Sequence, residues 1–172
     1  ILAAILAKEA GFDGVDVKLA HRYLLSELLA AYLRDGKYGG SFENRTRFGL
    51  ETIRRIRNIV GNSFLIGCRL NIFDAHPYPY GWGVDKEDFW KVDLDEPLKL
   101  VKNLCEAGID FINPTLGNVY YIYPYLTRPY DTPTIGSPLP SENPLESIAR
   151  IFYLTKSVKE TATNIPVIGG GY

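Results

Sequence analysis

Three side chains able to donate a hydrogen bond or a proton fall within six residues, directly after an apolar segment. Lys18, His21 and Tyr23 follow the run 12–17 in the sequence KLAHRYLL. An ammonium, an imidazole and a phenol can each donate to a carbonyl oxygen, and such groups also act as general acids. The alternative is a polar loop with a snorkelling lysine and a helix-capping histidine. The spacing alone leaves both interpretations open.

The other reactive side chains are more isolated. His76 has no Cys, His or Glu at ligand spacing, so we predict a solvated loop histidine and no metal site. Cys68 and Cys105 form neither a disulfide framework nor a metal motif, so Cys105 is assigned to a helix core and Cys68 is not expected to be a nucleophile. Aromatic residues of the long loops either wall a substrate pocket or pack on a barrel rim: Tyr78, Tyr80, Trp82, Tyr120, Tyr121, Tyr123 and Tyr125.

The elements that would position these side chains alternate between short apolar strands and amphipathic helices. Ser41 is a suitable N-cap, and Gly11 and Gly108 suit positions that follow a helix end. Phe48, Ile53, Ile56 and Val60 share one helical stripe and are predicted to face the core. Strands are predicted over 12–17, 64–70, 109–113 and 165–168, and helices over 1–10, 23–33, 41–61, 95–108 and from 143 onward.

Alternation of strand and helix predicts a parallel sheet. The longest loops, 74–92 and 114–142, follow strands, whereas the links from helix to strand are short. This asymmetry is typical of a (β/α)₈ TIM barrel, whose chemistry lies at the carboxyl ends of the strands. A flavodoxin-like open sheet is the alternative. Four βα units make half a barrel, so we expect residues 1–172 to be one partial barrel domain and an excerpt of a longer protein. The absence of methionine from these 172 residues agrees with this expectation.

The amino-acid composition limits the classes of molecule that the protein is expected to bind. The net charge of −1 gives no basic excess for nucleic acid or an anionic membrane. No apolar run reaches the roughly 20 residues needed to span a bilayer. With two cysteines and no signal peptide, we expect a cytoplasmic protein.

A longer set of motifs resembles one family. The run KYGGSFENRTRF at 37–48 is the most specific, and GFDGVDV at 11–17, the His21-x-Tyr23-Leu24-Leu25 element and IPVIGGG at 165–171 agree with it. These segments resemble the old yellow enzyme family of FMN-dependent NAD(P)H:flavin oxidoreductases. The resemblance spans the chain and implies that it supplies barrel strands four to seven.

The resemblance also implies roles for single residues. His21 matches the second member of the pair that holds the substrate oxygen, and Tyr23 matches the proton donor. Lys18 stands at the first position of the pair, where the family usually has His, so the preferred substrate is expected to differ. Arg69 matches the arginine beside the flavin ring, and the alternative is an arginine paired with a barrel carboxylate. The glycine turn at 170–171, Gly170 and Gly171, matches the phosphate-binding loop.

The implied reaction is ping-pong: NADH or NADPH reduces FMN, and hydride then passes to an activated alkene or related acceptor. Two other hypotheses stay open. Lys18 could form a Schiff base in an aldolase-like barrel, or the barrel could bind a ligand without turnover. Since a cut barrel has open sheet edges, the isolated 172 residues are expected to self-associate.

Overall fold

The computed structural model describes residues 1–117 and 142–170 of the chain. Helices and strands alternate along these residues as the sequence predicts. The predicted tyrosine-rich part of the second long loop, and Gly171, lie outside the described residues. The elements are α1 Leu2–Glu9, β1 Gly14–Leu19, α2 Leu24–Leu29, α3 Phe42–Val60, β2 Leu65–Phe73, α4 Asp95–Ala107, β3 Phe111–Leu116 and α5 Pro144–Thr161.

The three strands form a parallel sheet in the order β1-β2-β3. This sequential order is the one in which strands follow one another around a barrel. The predicted fourth strand at 165–168 is only a single parallel bridge, between Ile112 and Val167. Its position beside β3 agrees with the prediction, but its length does not. Pro166 has no N–H to donate, which limits the hydrogen-bonded ladder at this point.

Local capping residues set the helix ends. The Ser41 hydroxyl accepts a hydrogen bond from the Asn44 N–H at 3.3 Å, and the Asn143 side chain accepts one from the Leu145 N–H at 2.9 Å. Gly108 ends α4 in the left-handed region at φ 97°, where a residue with a β-carbon is strained. These three helix boundaries therefore follow directly from local sequence, as predicted.

The helix predicted over 23–33 is shorter in the structure and ends at Leu29. The Leu29 carbonyl accepts a hydrogen bond from Nη1 of Arg45 on α3, and the Ala31 carbonyl accepts one from the Gly40 N–H at 3.0 Å. Both carbonyls would otherwise be available to continue the helix. Contacts with the 40–45 segment thus replace the last predicted turn.

The buried face of α3 also differs from the prediction at one residue. Ile53, Ile56 and Val60 are buried as expected, but Phe48 is 37% exposed and rests edge-on against the Tyr38 ring. Arg45 occupies the buried face instead, with 2% exposure. A charged side chain can lie in the core only because its hydrogen bonds are satisfied there.

Side chains of the sheet divide between two faces. Leu19 faces α3, since a β-carbon added at Gly49 of that helix would meet its side chain at 3.0 Å. Alternation along the strand places Lys18 on the opposite face. This second face, the inner face of a barrel, carries the polar residues of the sheet, whereas the helices cover the apolar one.

Candidate active site at the carboxyl ends of the strands

A row of three hydrogen-bonding side chains crosses the inner face of the sheet, from near the carboxyl end of β1 to the middle of β2 and β3. The parallel register pairs Lys18 of β1 with Arg69 of β2, and Arg69 with Asn113 of β3. Residues paired in register point to the same side of a sheet. Two cations and an amide therefore lie side by side on the face that the helices do not cover.

Arg69 lies at the centre of this row, and not all of its hydrogen-bond donors have a partner among the described residues. With its side-chain amide oriented to suit both neighbours, Asn113 accepts a hydrogen bond from Nη2 of Arg69 at 3.3 Å and donates one to the Ile168 carbonyl at 3.2 Å. The Nε of Arg69 is buried and has no partner among the described residues. Burial raises the pKa of Asp16 on β1, while the backbone N–H and the charge of Arg69 act in the opposite direction, so a barrel carboxylate lies near Arg69. No carboxylate among the described residues reaches ion-pair distance of its guanidinium.

The predicted trio lies at a tight turn after β1. His21 and Arg22 have φ values of 59° and 57°, in the left-handed region that residues with a β-carbon seldom adopt. Tyr23 follows immediately as the N-cap residue of α2 and is 49% exposed. The Lys18 ammonium lies 3.7 Å from the centroid of the Tyr23 ring, a cation–π contact. The structure thus brings Lys18 and Tyr23 together, with His21 in the turn between them.

A buried polar network lies beside this turn, and sequence reasoning missed it. The Asp74 side chain is fully buried, and its carboxylate accepts hydrogen bonds from the Asn71 amide at 2.6 Å and the Trp82 N–H at 3.0 Å. Nη1 of Arg22 donates to the same carboxylate at 3.1 Å. The signal available in the sequence was the appearance of Asn71 and Asp74 directly after a buried strand, where polar residues meet the site.

Asn71 extends the network to β3. Its amide also donates to the Gly117 carbonyl at 2.9 Å, and its oxygen accepts a hydrogen bond from the Thr115 hydroxyl at 2.6 Å. Hydrogen bonds therefore connect the residues that follow β1, β2 and β3. Such a fully bonded network fixes the relative positions of the three strand ends.

Burial shifts the ionisation of the groups in this region. Burial raises the pKa of Asp74, while the Arg22 guanidinium and the Asn71 amide act in the opposite direction. Burial lowers the pKa of His76, and the nearby Arg22 cation lowers it further. The prediction of a solvated histidine is wrong, because His76 is half-buried beside Arg22 and Asp74.

The aromatic residues of the first long loop take different roles. Trp82 is fully buried and its indole N–H donates to the Asn71 carbonyl at 3.1 Å, so it packs the strand end rather than lining an open pocket. Tyr78 and Tyr80 are 37% and 57% exposed. The other aromatic candidates, Tyr120, Tyr121, Tyr123 and Tyr125, lie outside the described residues.

The remaining candidate residues are Gly170, Cys68 and Cys105. Gly170 is exposed, and a β-carbon there would contact nothing within 4 Å. Cys68 is buried in the sheet, and burial raises the pKa of its thiol, whereas Cys105 is half-buried on α4. In the described residues, no group of three His, Cys, Asp or Glu side chains could hold a metal ion. None of the described helices is both long and apolar enough to cross a membrane.

Comparison with known proteins identifies the family. Residues 1–90, just over half of the chain, match the NADH:flavin oxidoreductase / NADH oxidase family. An NADH oxidase from Thermoanaerobacter brockii is 34% identical over 171 residues, which cover 98% of this chain and 22% of the relative. A cinnamate reductase from Clostridium sporogenes is 34% identical over 121 residues, 67% of this chain and 18% of that protein. The chain belongs to this family and spans about a fifth of the length of these relatives.

Solved structures show the same fold. Histamine dehydrogenase from Rhizobium sp. 4-9 matches with a TM-score of 0.64 at 24% identity, covering 98% of this chain and 21% of that one. The old yellow enzyme homologue from Zymomonas mobilis matches with a TM-score of 0.57 at 23% identity, covering 96% and 38%. The α/β architecture is therefore that of TIM-barrel old yellow enzyme homologues, and the expectation of a barrel rather than a flavodoxin-like sheet is confirmed.

Proposed function

We propose that residues 1–172 are barrel strands four to seven of an FMN-dependent NAD(P)H oxidoreductase of the old yellow enzyme type. The observation that carries this proposal is Arg69, whose buried Nε has no partner among the described residues. Arg69 lies on the inner face beside Lys18, which is near the carboxyl end of β1, the end at which barrel enzymes do chemistry. Family membership supports it. Cytoplasmic localisation belongs to the same proposal.

The residues at this end of the sheet fit a flavin. FMN, when bound, accepts hydride from NADH or NADPH and delivers it to the acceptor. Arg69 would donate to an acceptor atom of the flavin ring and stabilise negative charge there, since a buried donor without a partner is costly otherwise. Gly170, beside which a β-carbon would meet no atom, leaves room for a phosphate group against the backbone. Gly171 belongs to the same proposed loop.

The acceptor side of the site is assigned to Lys18, His21 and Tyr23. Lys18 and His21 would donate hydrogen bonds to the electron-withdrawing oxygen of the acceptor and hold it in position. The Tyr23 phenol would give the proton that completes alkene reduction. The contact of 3.7 Å between the Lys18 ammonium and the Tyr23 ring supports a shared site for orientation and proton donation.

The substrate class is a small activated alkene or carbonyl compound. The name of the relative from Clostridium sporogenes, cinnamate reductase, points to an acceptor in which a carboxyl group activates the alkene. Lys18, a full cation where the family usually has His, suits the oxygen of such a group. Neither nucleic acid nor a membrane is part of this proposal.

Absorbance spectroscopy of the complete enzyme tests the function. We expect flavin bands that bleach on addition of NADH or NADPH and return on addition of an acceptor alkene. Bands that never bleach would support the non-catalytic ligand-binding barrel instead. Covalent trapping of a carbonyl compound on Lys18 by borohydride would support the Schiff-base alternative, because reduction through a flavin needs no imine.

A further inference from the structure

The turn between Lys18 and Tyr23 adopts a backbone conformation that its own residues disfavour. His21 and Arg22 are both left-handed, at φ 59° and 57°, and neither is glycine. For residues with a β-carbon this region is uncommon, and two in succession require support from outside the turn. The conformation matters because Tyr23 is the next residue, and the backbone of the turn therefore determines the position of the Tyr23 phenol.

The Arg22 side chain supplies such support on two sides. Its guanidinium pairs with both carboxylate oxygens of Glu27 on α2, with Nε–Oε1 at 2.6 Å and Nη2–Oε2 at 3.2 Å. Nη1 donates to Asp74 at 3.1 Å and to the Tyr80 carbonyl at 2.6 Å. The side chain is only 8% exposed. Arg22 therefore joins the first turn of α2 to the loop that follows β2.

Both anchors of Arg22 are themselves fixed relative to the site. Asp74 belongs to the buried network that reaches β3 through Asn71. The Glu27 N–H donates to the Tyr23 carbonyl at 2.9 Å, which closes the first turn of α2. A displacement of the Arg22 guanidinium would therefore be felt at the backbone on either side of Tyr23.

We propose that Arg22 is a positioning residue for proton transfer: its ion pairs with Asp74 and Glu27 hold the left-handed turn that aims the Tyr23 phenol at the acceptor. The inference rests on the proposed function of Tyr23 as proton donor. Arg22 touches neither acceptor nor flavin in this account. It acts through the backbone, as preorganisation of a catalytic group requires.

Two substitutions at the same position separate the turn from the charge. Arg22→Ala removes every anchor but keeps a β-carbon in the left-handed region, so the turn is expected to change. Arg22→Gly removes the same anchors, yet glycine adopts this conformation freely. In the complete enzyme, we expect Arg22→Ala to slow reoxidation of the reduced enzyme by an alkene at least 10-fold, and Arg22→Gly to restore most of that loss. Flavin reduction by NADH should stay within about twofold in both.

Stopped-flow kinetics measure the rates of the two half-reactions, flavin reduction by NADH and reoxidation by an alkene. Equal losses in Arg22→Ala and Arg22→Gly would overturn the proposal, as would a matching loss in flavin reduction or an unchanged alkene rate in Arg22→Ala. Arg34→Ala is the matched control, because Arg34 is an exposed arginine lining the same surface pocket as Arg22.

Two further variants keep the test decisive. If Arg22→Ala does not fold, Glu27→Ala removes one anchor from a side chain that is 44% exposed. We expect about a threefold loss in the alkene half-reaction, and an unchanged rate would contradict the proposal. Tyr23→Phe is measured in parallel. If that variant reduces alkenes normally, the proposed function of Tyr23 fails, whatever the Arg22 variants do.

Discussion

Arg57 and Arg69 contact different parts of the sheet and have opposite surroundings. Arg57 reaches from α3 to the amino ends of the strands, where its donors bind the carbonyls of Gly61, Phe64 and Gly108 and the Asp110 carboxylate. These bonds use all five N–H donors of a guanidinium. Arg69, on the inner face in the middle of β2, keeps a buried Nε without a partner in the described residues.

The contrast separates a stabilising end from a reactive end. At the amino end, the Asp110 carboxylate also accepts a hydrogen bond from the Ile66 N–H at 2.7 Å. The Arg57–Asp110 ion pair therefore fixes the two segments that lead into β2 and β3. From the middle of β2 to the carboxyl end of the sheet, the unsatisfied Arg69 donor and the left-handed turn are both costly for stability. Costs of this kind concentrate where a protein binds or reacts. The carboxyl end is therefore where substitutions should change chemistry more than folding.

The largest expected effect comes from the isolated 172 residues. The half-barrel interpretation predicts that in this protein the inner face and the sheet edges lack the neighbours that the rest of a barrel supplies, and that Arg69 and the glycine turn are the proposed FMN contacts that remain. We expect purified material that is colourless and at least dimeric, because unpaired edge strands recruit another chain. Absorbance and light scattering check this. A yellow, strictly monomeric preparation would contradict the half-barrel interpretation.

At the reactive end, Tyr23→Phe in the complete enzyme should slow alkene reduction by about 10²–10⁴-fold, the usual contribution of a general acid. Flavin reduction by NADH or NADPH should hardly change, since no proton from Tyr23 is needed there. Rapid-mixing kinetics of each half-reaction provide the measurement. Equal losses in both would remove Tyr23 from the role of proton donor.

At the stabilising end, Arg57→Ala should lower the free energy of unfolding by about 3 kcal/mol, the low end for a broken buried ion pair. The low end applies because the Asp110 side chain is 34% exposed. Denaturant unfolding of the complete enzyme measures the loss, with Arg55→Ala, an exposed neighbour on α3, as control. If the loss appeared instead in flavin affinity, the division between the two ends would be wrong.

How much of this could be predicted from sequence depends on the range of each signal. Ser41, Gly108 and the Asn143 cap act within one helical turn, so residue type and spacing were sufficient. The pair Arg22–Asp74 joins residues 52 positions apart, and nothing in either local sequence indicates the partner.

The same limit explains the errors on α3 and around His76. Arg45 lies in the core because its Nη2 donates a hydrogen bond to Glu96 of α4 at 2.6 Å. Hydrophobic periodicity cannot reveal such a pair, and it therefore assigned Phe48 to the buried face. His76 is half-buried beside Arg22, which comes from a different loop. Family motifs selected Lys18, Tyr23 and Arg69, and the structure places Lys18 beside both of the others. The polar network next to them is visible only in three dimensions.

Arg69→Ala sharpens the comparison further, since it removes the donor without a partner. We expect FMN affinity in the complete enzyme to fall about 10- to 100-fold, the range for a hydrogen bond from a charged group. The unfolding free energy of the flavin-free enzyme should stay within about 1 kcal/mol of the parent, because the buried Nε contributes no bond and the bond from Nη2 to Asn113 is long, at 3.3 Å. Fluorescence titration with FMN and denaturant unfolding measure the two quantities. A destabilised flavin-free enzyme with normal FMN affinity would make Arg69 a structural residue like Arg57.

The smallest effect is expected at Lys18, which contributes one donor among several. Lys18→Ala should raise the dissociation constant of carbonyl or nitro acceptors about 10-fold, which corresponds to about 1.4 kcal/mol, while the flavin reduction rate is unchanged. Lys37 offers a matched control, since its ammonium also lies over a tyrosine ring, 5.3 Å from the Tyr38 centroid, but away from the strand ends. Acceptor titrations of both variants compare the two lysines directly. If Lys18→Ala and Lys37→Ala bind the acceptor equally well, Lys18 is a rim residue, and the row it shares with Arg69 and Asn113 does not select substrates.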